Sequence, residues 1–181
     1  EVVATFGLSG LQVGAVAATR EMVSGIIALP GGVVTDMLRR HWGSVLTACM
    51  ALFGLGWLVM GIAPFYPILL VGMGIVAAAA SMWHLPATAA LSHRFSHHRA
   101  SALSLHGVGG NIGDVLGPAL TGILLLTLSW RDILSIYAAV PIFLAFLVFW
   151  AFRDIGHSEN DRSEPSRFRE QMANTRDSFK E

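Results

Sequence analysis

Six polar side chains lie inside otherwise apolar runs of this sequence and could handle protons or a polar ligand: Arg20, Glu21, His84, His106, Asn111 and Asp114. If those runs cross lipid, each ionisable group costs roughly 2.5–3.5 kcal/mol on insertion scales and marks a cavity or a helix contact. At ~1.5 Å per residue, Arg20 and Glu21 lie about 14 Å into their run and Asp114 about 18 Å into its own, all near a bilayer midplane. Neighbours in sequence point in different directions on a helix, so Arg20 and Glu21 are not expected simply to neutralise each other. Two roles suit these three charges: interhelical pairing, or contact with substrate and protons. A helix-to-helix hydrogen bond is the expected duty of Asn111.

His84 and His106 fall within about 6–10 Å of one boundary if their two helices run antiparallel. Imidazoles titrate near neutral pH, so the pair could pass protons, or each could only hydrogen-bond a neighbouring helix. His93, His97 and His98 stand beside Arg94 and Arg99. Cations disfavour a metal there, and lipid headgroup contact is the better expectation. A lone Cys49 supports neither a disulfide framework nor a metal site, and no residue set calls for a cofactor. "GLSG", Gly7 to Gly10, has the form of a serine nucleophile motif, but a nucleophile needs its base within hydrogen-bond reach. Ser9 and the two span histidines belong to opposite boundaries, so an enzyme is not expected.

The elements that would position these groups are membrane helices. The chain is 54% hydrophobic and 13% charged, against about 25% charged in soluble domains. Half of the basic residues (Arg153, Arg162, Arg167, Arg169, Arg176, Lys180) lie in the polar tail, 153–181. A span needs about 20 mostly apolar residues. Five segments meet this, roughly 11–35, 45–63, 68–91, 102–127 and 133–152, joined by short loops. Only helices or closed barrels survive in lipid, and the pattern lacks strand alternation, so the expected fold is an all-α polytopic bundle. Arg39, Arg40, Arg94, Arg99 and Arg153 fall on one side and Arg131 alone on the other; the positive-inside rule makes the first side and the tail cytoplasmic. The tail is expected to be a linker, either disordered or carrying a surface helix through Phe168, Met172 and Phe179. A net charge of zero argues against a nucleic-acid partner.

Two stretches carry a family resemblance. "PGGVVTDMLRRHWGSVL" resembles the loop between the second and third helices of major facilitator superfamily transporters, with Gly32, Asp36, Arg39 and Arg40 on the pattern. Met37 stands where the family has arginine, so which arginine pairs with Asp36 is left open. "GDVLGPALTG" resembles the antiporter motif of the fifth helix, with Gly113, Gly117, Pro118 and Gly122 matching and Thr121 replacing a glycine. "SWRDIL" resembles the start of the sixth. The wider pattern is similar to fosmidomycin-resistance-type members. The resemblance implies helices two to six of an N-terminal half, a fragment of a longer chain with a second half as partner. It implies a proton-coupled exporter of a small molecule, in a bacterial inner membrane. The substrate, the transport direction and the coupling ion are not legible, and a non-transporting scaffold on the same half-fold is the rival. The motif glycines are expected to let a neighbouring helix approach closely or to form a sliding interface, and Pro118 to bend its helix.

Overall fold

Long apolar runs have to satisfy their backbone groups internally, and here each does so as a helix. The computed structural model describes residues 1–152, in the order α1 (Val2–Phe6), α2 (Gly10–Met37), α3 (Trp42–Gly61), α4 (Tyr66–Arg94), α5 (Arg99–Leu124) and α6 (Trp130–Phe152). Short 3-10 turns at Arg39–His41 and Ser96–His98 join α2 to α3 and α4 to α5. Among the described residues there is no strand. The expected linker and its Phe168, Met172 and Phe179 pattern lie outside the described residues.

Local chemistry sets the helix edges. Ser9 caps α2 through a capping box: its hydroxyl accepts from Gln12 N while its backbone N–H donates to Gln12 Oε1 at 2.9 Å. Ser129 and Asp132 do the same for α6, the Ser129 hydroxyl donating to Asp132 Oδ2 at 2.6 Å and Asp132 N donating back at 3.3 Å. At its far end α5 stops at Leu124, three residues before the expected edge, because the chain tightens there: Leu126 N bonds Ile123 O, and Thr127 N bonds Leu124 O. The helix α1 was not expected. In the middle of α2, Pro30 has no N–H to give and crowds the preceding turn; the segments Gly10–Ala28 and Pro30–Met37 meet at 47°.

α3, α4 and α6 are each long and apolar enough to cross a membrane, and α2 joins them if its bent halves count as one span. α5 is 26 residues long yet does not reach the same apolarity. Asn111, Asp114 and its six glycines dilute it. Among the described residues five helices are long enough for a span, and three or four are also apolar enough.

Small residues decide the packing, as they do where helices gain nothing from leaving lipid. α3 and α4 cross at backbone contact: a Cβ on Gly56 would sit 3.0 Å from Gly72 O, and one on Gly72 would sit 2.9 Å from Gly56 O. α3 meets α6 at Gly54, where a Cβ would stand 2.8 Å from Ala138 O. Around these crossings Met60, Ala63, Leu69 and Val76 form one buried cluster, and Leu46, Ala87 and Val148 a second. α2 lies along the other side of α4, and α5 touches the bundle only lightly, through α4.

The bundle has two ends. One carries the turns with Arg39 and Arg99. The opposite end is fastened by Arg131, whose guanidinium donates to Gly61 O at 2.7 Å and Ala63 O at 2.9 Å, covering the exposed carbonyls of α3. It also stacks over Trp130, 4.3 Å from the ring centre. Trp130 in turn holds α1, its indole N–H donating to Thr5 Oγ1 and its backbone N–H to Glu1. The Tyr66 hydroxyl donates to Gln12 O at 2.8 Å, tying α4 to α2.

Candidate functional site

The seam between α4 and α5 is open. A cleft of about 610 Å³ lies there, lined by Trp83 and His84 of α4 and by Leu105, His106, Asn111 and Asp114 of α5, with glycines between them. Helical spacing explains the grouping. Positions 106, 107, 110, 111 and 114 recur every three or four residues and so form one stripe of α5. The glycines leave that stripe without bulk, and this opens the cleft. Four of the six polar residues singled out above share this cavity. Its size falls within the roughly 300–1,000 Å³ usual for small-molecule sites.

His84 and His106 face each other across the seam, ring centres 6.1 Å apart and planes at 76°. His106 is half-buried and His84 exposed to the cleft. One helical turn on, the Thr88 hydroxyl donates to His84 O at 2.7 Å. Trp83 packs its other side on the buried cluster of Leu46, Ala87 and Val148, so the cleft wall is held by the core. Asn111 and Asp114 are exposed, and α5 has no buried residue at all. Near its other end α5 has a second attachment, where the Thr121 hydroxyl meets the Tyr137 hydroxyl of α6. Thr121 also donates to Gly117 O at 2.7 Å. The residue that departs from the glycine pattern thus acts as the tether.

Arg20 and Glu21 are not in the cleft. They lie on α2 with side chains 69% and 75% exposed, and Arg20 Nε stands 3.9 Å from Glu21 Oε1. This corrects the expectation that the two point apart. On an open helix face nothing competes for them, and long side chains reach round to each other. Arg20 forms no ion pair with Asp114 among the described residues.

The glycines of α5 are a second correction. A Cβ at Gly109, Gly110, Gly113, Gly117 or Gly122 would meet nothing within 4 Å. No described helix approaches them closely; Gly109 and Gly110 border the cleft, and Pro118 is exposed. At the arginine end, Gly32 is half-buried and Asp36 exposed. Arg39 stacks on Trp42, 5.9 Å from the ring centre, and the Trp42 indole N–H donates to Thr35 O at 2.9 Å. The Arg40 side chain lies outside what the structure describes. His93, His97 and His98 are exposed. Ser9, the serine of "GLSG", is occupied as a helix cap.

Sequence reasoning missed Arg131, Trp130 and Tyr137. Arg131 was read only by its side of the membrane. The cue was available in the serine and aspartate flanking it, which begin a helix and so aim the arginine at the preceding loop.

Five long helices with glycine-mediated crossings and a polar cleft at one seam define an integral, multi-pass membrane protein of transporter-like build. The chain belongs to the Major Facilitator Superfamily, whose family model matches residues 1–179. It is 25% identical over 120 residues, 66% of the chain, to the fosmidomycin resistance protein of Escherichia coli (strain K12), of which this covers 29%. It is 32% identical over 128 residues, 68% of the chain, to the MFS-type transporter GME11371 of Pestalotiopsis microspora, covering 23% of that protein. It is 25% identical over 158 residues, 87% of the chain, to a probable hexose phosphate transport protein of Chlamydia muridarum (strain MoPn / Nigg), covering 34%. The chain thus spans between about a quarter and a third of the length of these relatives. No solved structure matches it.

Proposed function

We propose that this chain supplies helices two to six of the N-terminal half of a secondary active transporter, a proton-coupled exporter of a small molecule that works by alternating access. The observation that carries the reading is the exposed polar face of α5. Asn111 and Asp114 are exposed, and a Cβ at any of the neighbouring glycines would meet nothing within 4 Å among the described residues; groups this costly in lipid persist where a second helix or water meets them. A partner half that closes and opens against this face supplies both in turn. The α4–α5 cleft then opens on the transport path, with Asp114 and the His84–His106 pair as its ionisable groups. Asp36 with Arg39 or Arg40 forms a breakable contact at the arginine end, because a carboxylate at a helix C-terminus meets an unfavourable dipole and seeks a cation. Export is supported by similarity to a protein named for fosmidomycin resistance. By the positive-inside rule the arginine turns and the 153–181 tail are cytoplasmic, in a bacterial inner membrane.

The test is compound accumulation in an efflux-deficient bacterial host expressing the full reading frame that encodes this chain. Lowered accumulation of at least one compound, abolished by collapsing the proton gradient and by Asp114→Asn, is expected, with Arg20→Ala as an interface control. Unchanged accumulation and tolerance across a broad panel would favour a non-transporting scaffold.

A further inference from the structure

The α4–α5 turn carries positive charge that the chain does not offset. Arg94 ends α4 and Arg99 begins α5, with Phe95 and the 3-10 turn Ser96–His98 between them. His93, His97 and His98 add hydrogen-bonding imidazoles, and all of these side chains, Phe95 included, are exposed. The sequence holds no aspartate or glutamate from residue 37 to residue 113, so the turn has no acid of its own. Among the described residues Asp36 alone is acidic at this end, and no ion pair joins an acid to Arg94 or Arg99. At the other arginine turn the charge is already engaged, with Arg39 stacked on Trp42 and Asp36 close before it in the chain.

The length of α4 sets the depth of that charge. Its 29 residues run about 43 Å at ~1.5 Å each, against about 30 Å of hydrocarbon and about 40–45 Å with the headgroups. With Tyr66 in one interface, Arg94 and the turn after it reach the headgroups of the opposite leaflet. Phe95, 50% exposed, sets an aromatic ring at the same level, where it sinks towards the acyl chains while the guanidinium groups stay at the phosphates. Planar guanidinium forks match phosphate oxygens. A zwitterionic lipid brings an ammonium group with its phosphate, and two arginines without a neighbouring carboxylate repel it. An anionic lipid brings no such group.

We propose that the α4–α5 turn is a binding site for one anionic phospholipid, its phosphate held by Arg94 and Arg99 and its acyl chains against Phe95. The site needs only that these helices lie in a membrane, so it stands apart from the transport reading. A lipid seated there fastens the cytoplasmic end of α5, the long helix that the rest of the bundle holds only lightly.

The test is native mass spectrometry of the protein from the full reading frame, titrated in detergent with phosphatidylglycerol or phosphatidylcholine of equal chain length. A saturable phosphatidylglycerol adduct is expected, about tenfold or more tighter than phosphatidylcholine. Arg94→Gln with Arg99→Gln should weaken it about tenfold or more and erase the preference. Arg94→Lys with Arg99→Lys should stay within about threefold of wild type, which shows that loss of charge rather than of fold is read. In a second arm, Phe95→p-benzoylphenylalanine is irradiated in native membranes, and a cross-link to phospholipid is expected. Equal affinity for the two lipids, or a preference that survives the double glutamine change, would overturn the proposal. So would displacement by inorganic phosphate at equal concentration, which marks a free-anion site, or a cross-link to residues 153–181 in place of lipid, which makes the tail the occupant. Lipid preference without flux in the accumulation assay would sink the transporter reading and leave this site standing. Flux without lipid preference would do the reverse.

Discussion

Arg131 shows how much one side chain can hold in a bundle of this kind. Its guanidinium fork reaches two carbonyls 70 and 68 residues back in the chain and stacks on the indole that anchors α1. Hydrogen bonds to a charged group are worth about 1.5–3 kcal/mol where water competes little. Arg131→Ala is therefore expected to cost about 2 kcal/mol, roughly 4–8 °C in Tm for a chain of this size, measured by thermal unfolding in detergent. Arg131→Lys should recover less than half of it, since an ammonium cannot copy the planar fork. An unchanged melting curve for Arg131→Ala would show that the clasp is ornamental. The sequence pointed to Asp114, His84 and His106 by their polarity in apolar runs. For Arg131 it offered only the helix-starting pair Ser129 and Asp132; the partners themselves are backbone carbonyls and leave no trace in residue type.

Between helices, the glycines divide into two populations that look alike in the sequence. Gly54, Gly56 and Gly72 sit where backbones touch, whereas Gly113 and Gly117 face empty space. Gly72→Ala should therefore force α3 and α4 apart and destabilise by about 1–3 kcal/mol. Gly113→Ala and Gly117→Ala should leave the melting curve of the chain within about 0.5 kcal/mol of wild type. In the full transporter the same two substitutions should slow flux, if their face meets a second half. A Gly113→Ala protein with normal flux would remove the sliding-interface role. Which glycines pack was illegible because a stripe of small residues tells that a helix can be approached, not by what. The helices themselves were legible from the length of the apolar runs. α1 was not, since five residues ahead of a capping serine form no periodic pattern.

Across the whole molecule, the alternation of helices puts the loop at 62–65 and the turn at 95–99 at opposite ends. Single cysteines introduced into "APFYP" and "HRFSHHRA" should accordingly be labelled from opposite sides of the membrane by an impermeant maleimide, the second from the cytoplasm. Cys49 is buried in α3, so its background should be low. Labelling of both from one side would break the five-crossing topology. Family membership was readable because its marks lie in loop and helix-five residues that packing does not dictate. The cleft was only half readable. Depth along the helices brought His84 and His106 to a common level, but the hollow that unites them with Asp114 depends on how α4 and α5 pack, which residue type does not reveal.

The sparse attachment of α5 bears on how the protein is made. α5 is tethered by little more than the Thr121–Tyr137 hydroxyl pair at one end and the facing histidines at the other. A nascent segment with an aspartate near its middle is a poor client for the insertion machinery, by roughly 2.5–3.5 kcal/mol for that residue alone. It should linger in the translocon until α6 emerges and offers Tyr137. Chains stalled after residue 128 has cleared the ribosome are expected to leave this segment accessible to protease, and chains stalled after residue 152 has cleared it to protect the segment. Synthesis order, rather than hydrophobicity, would then decide when this helix enters the bilayer.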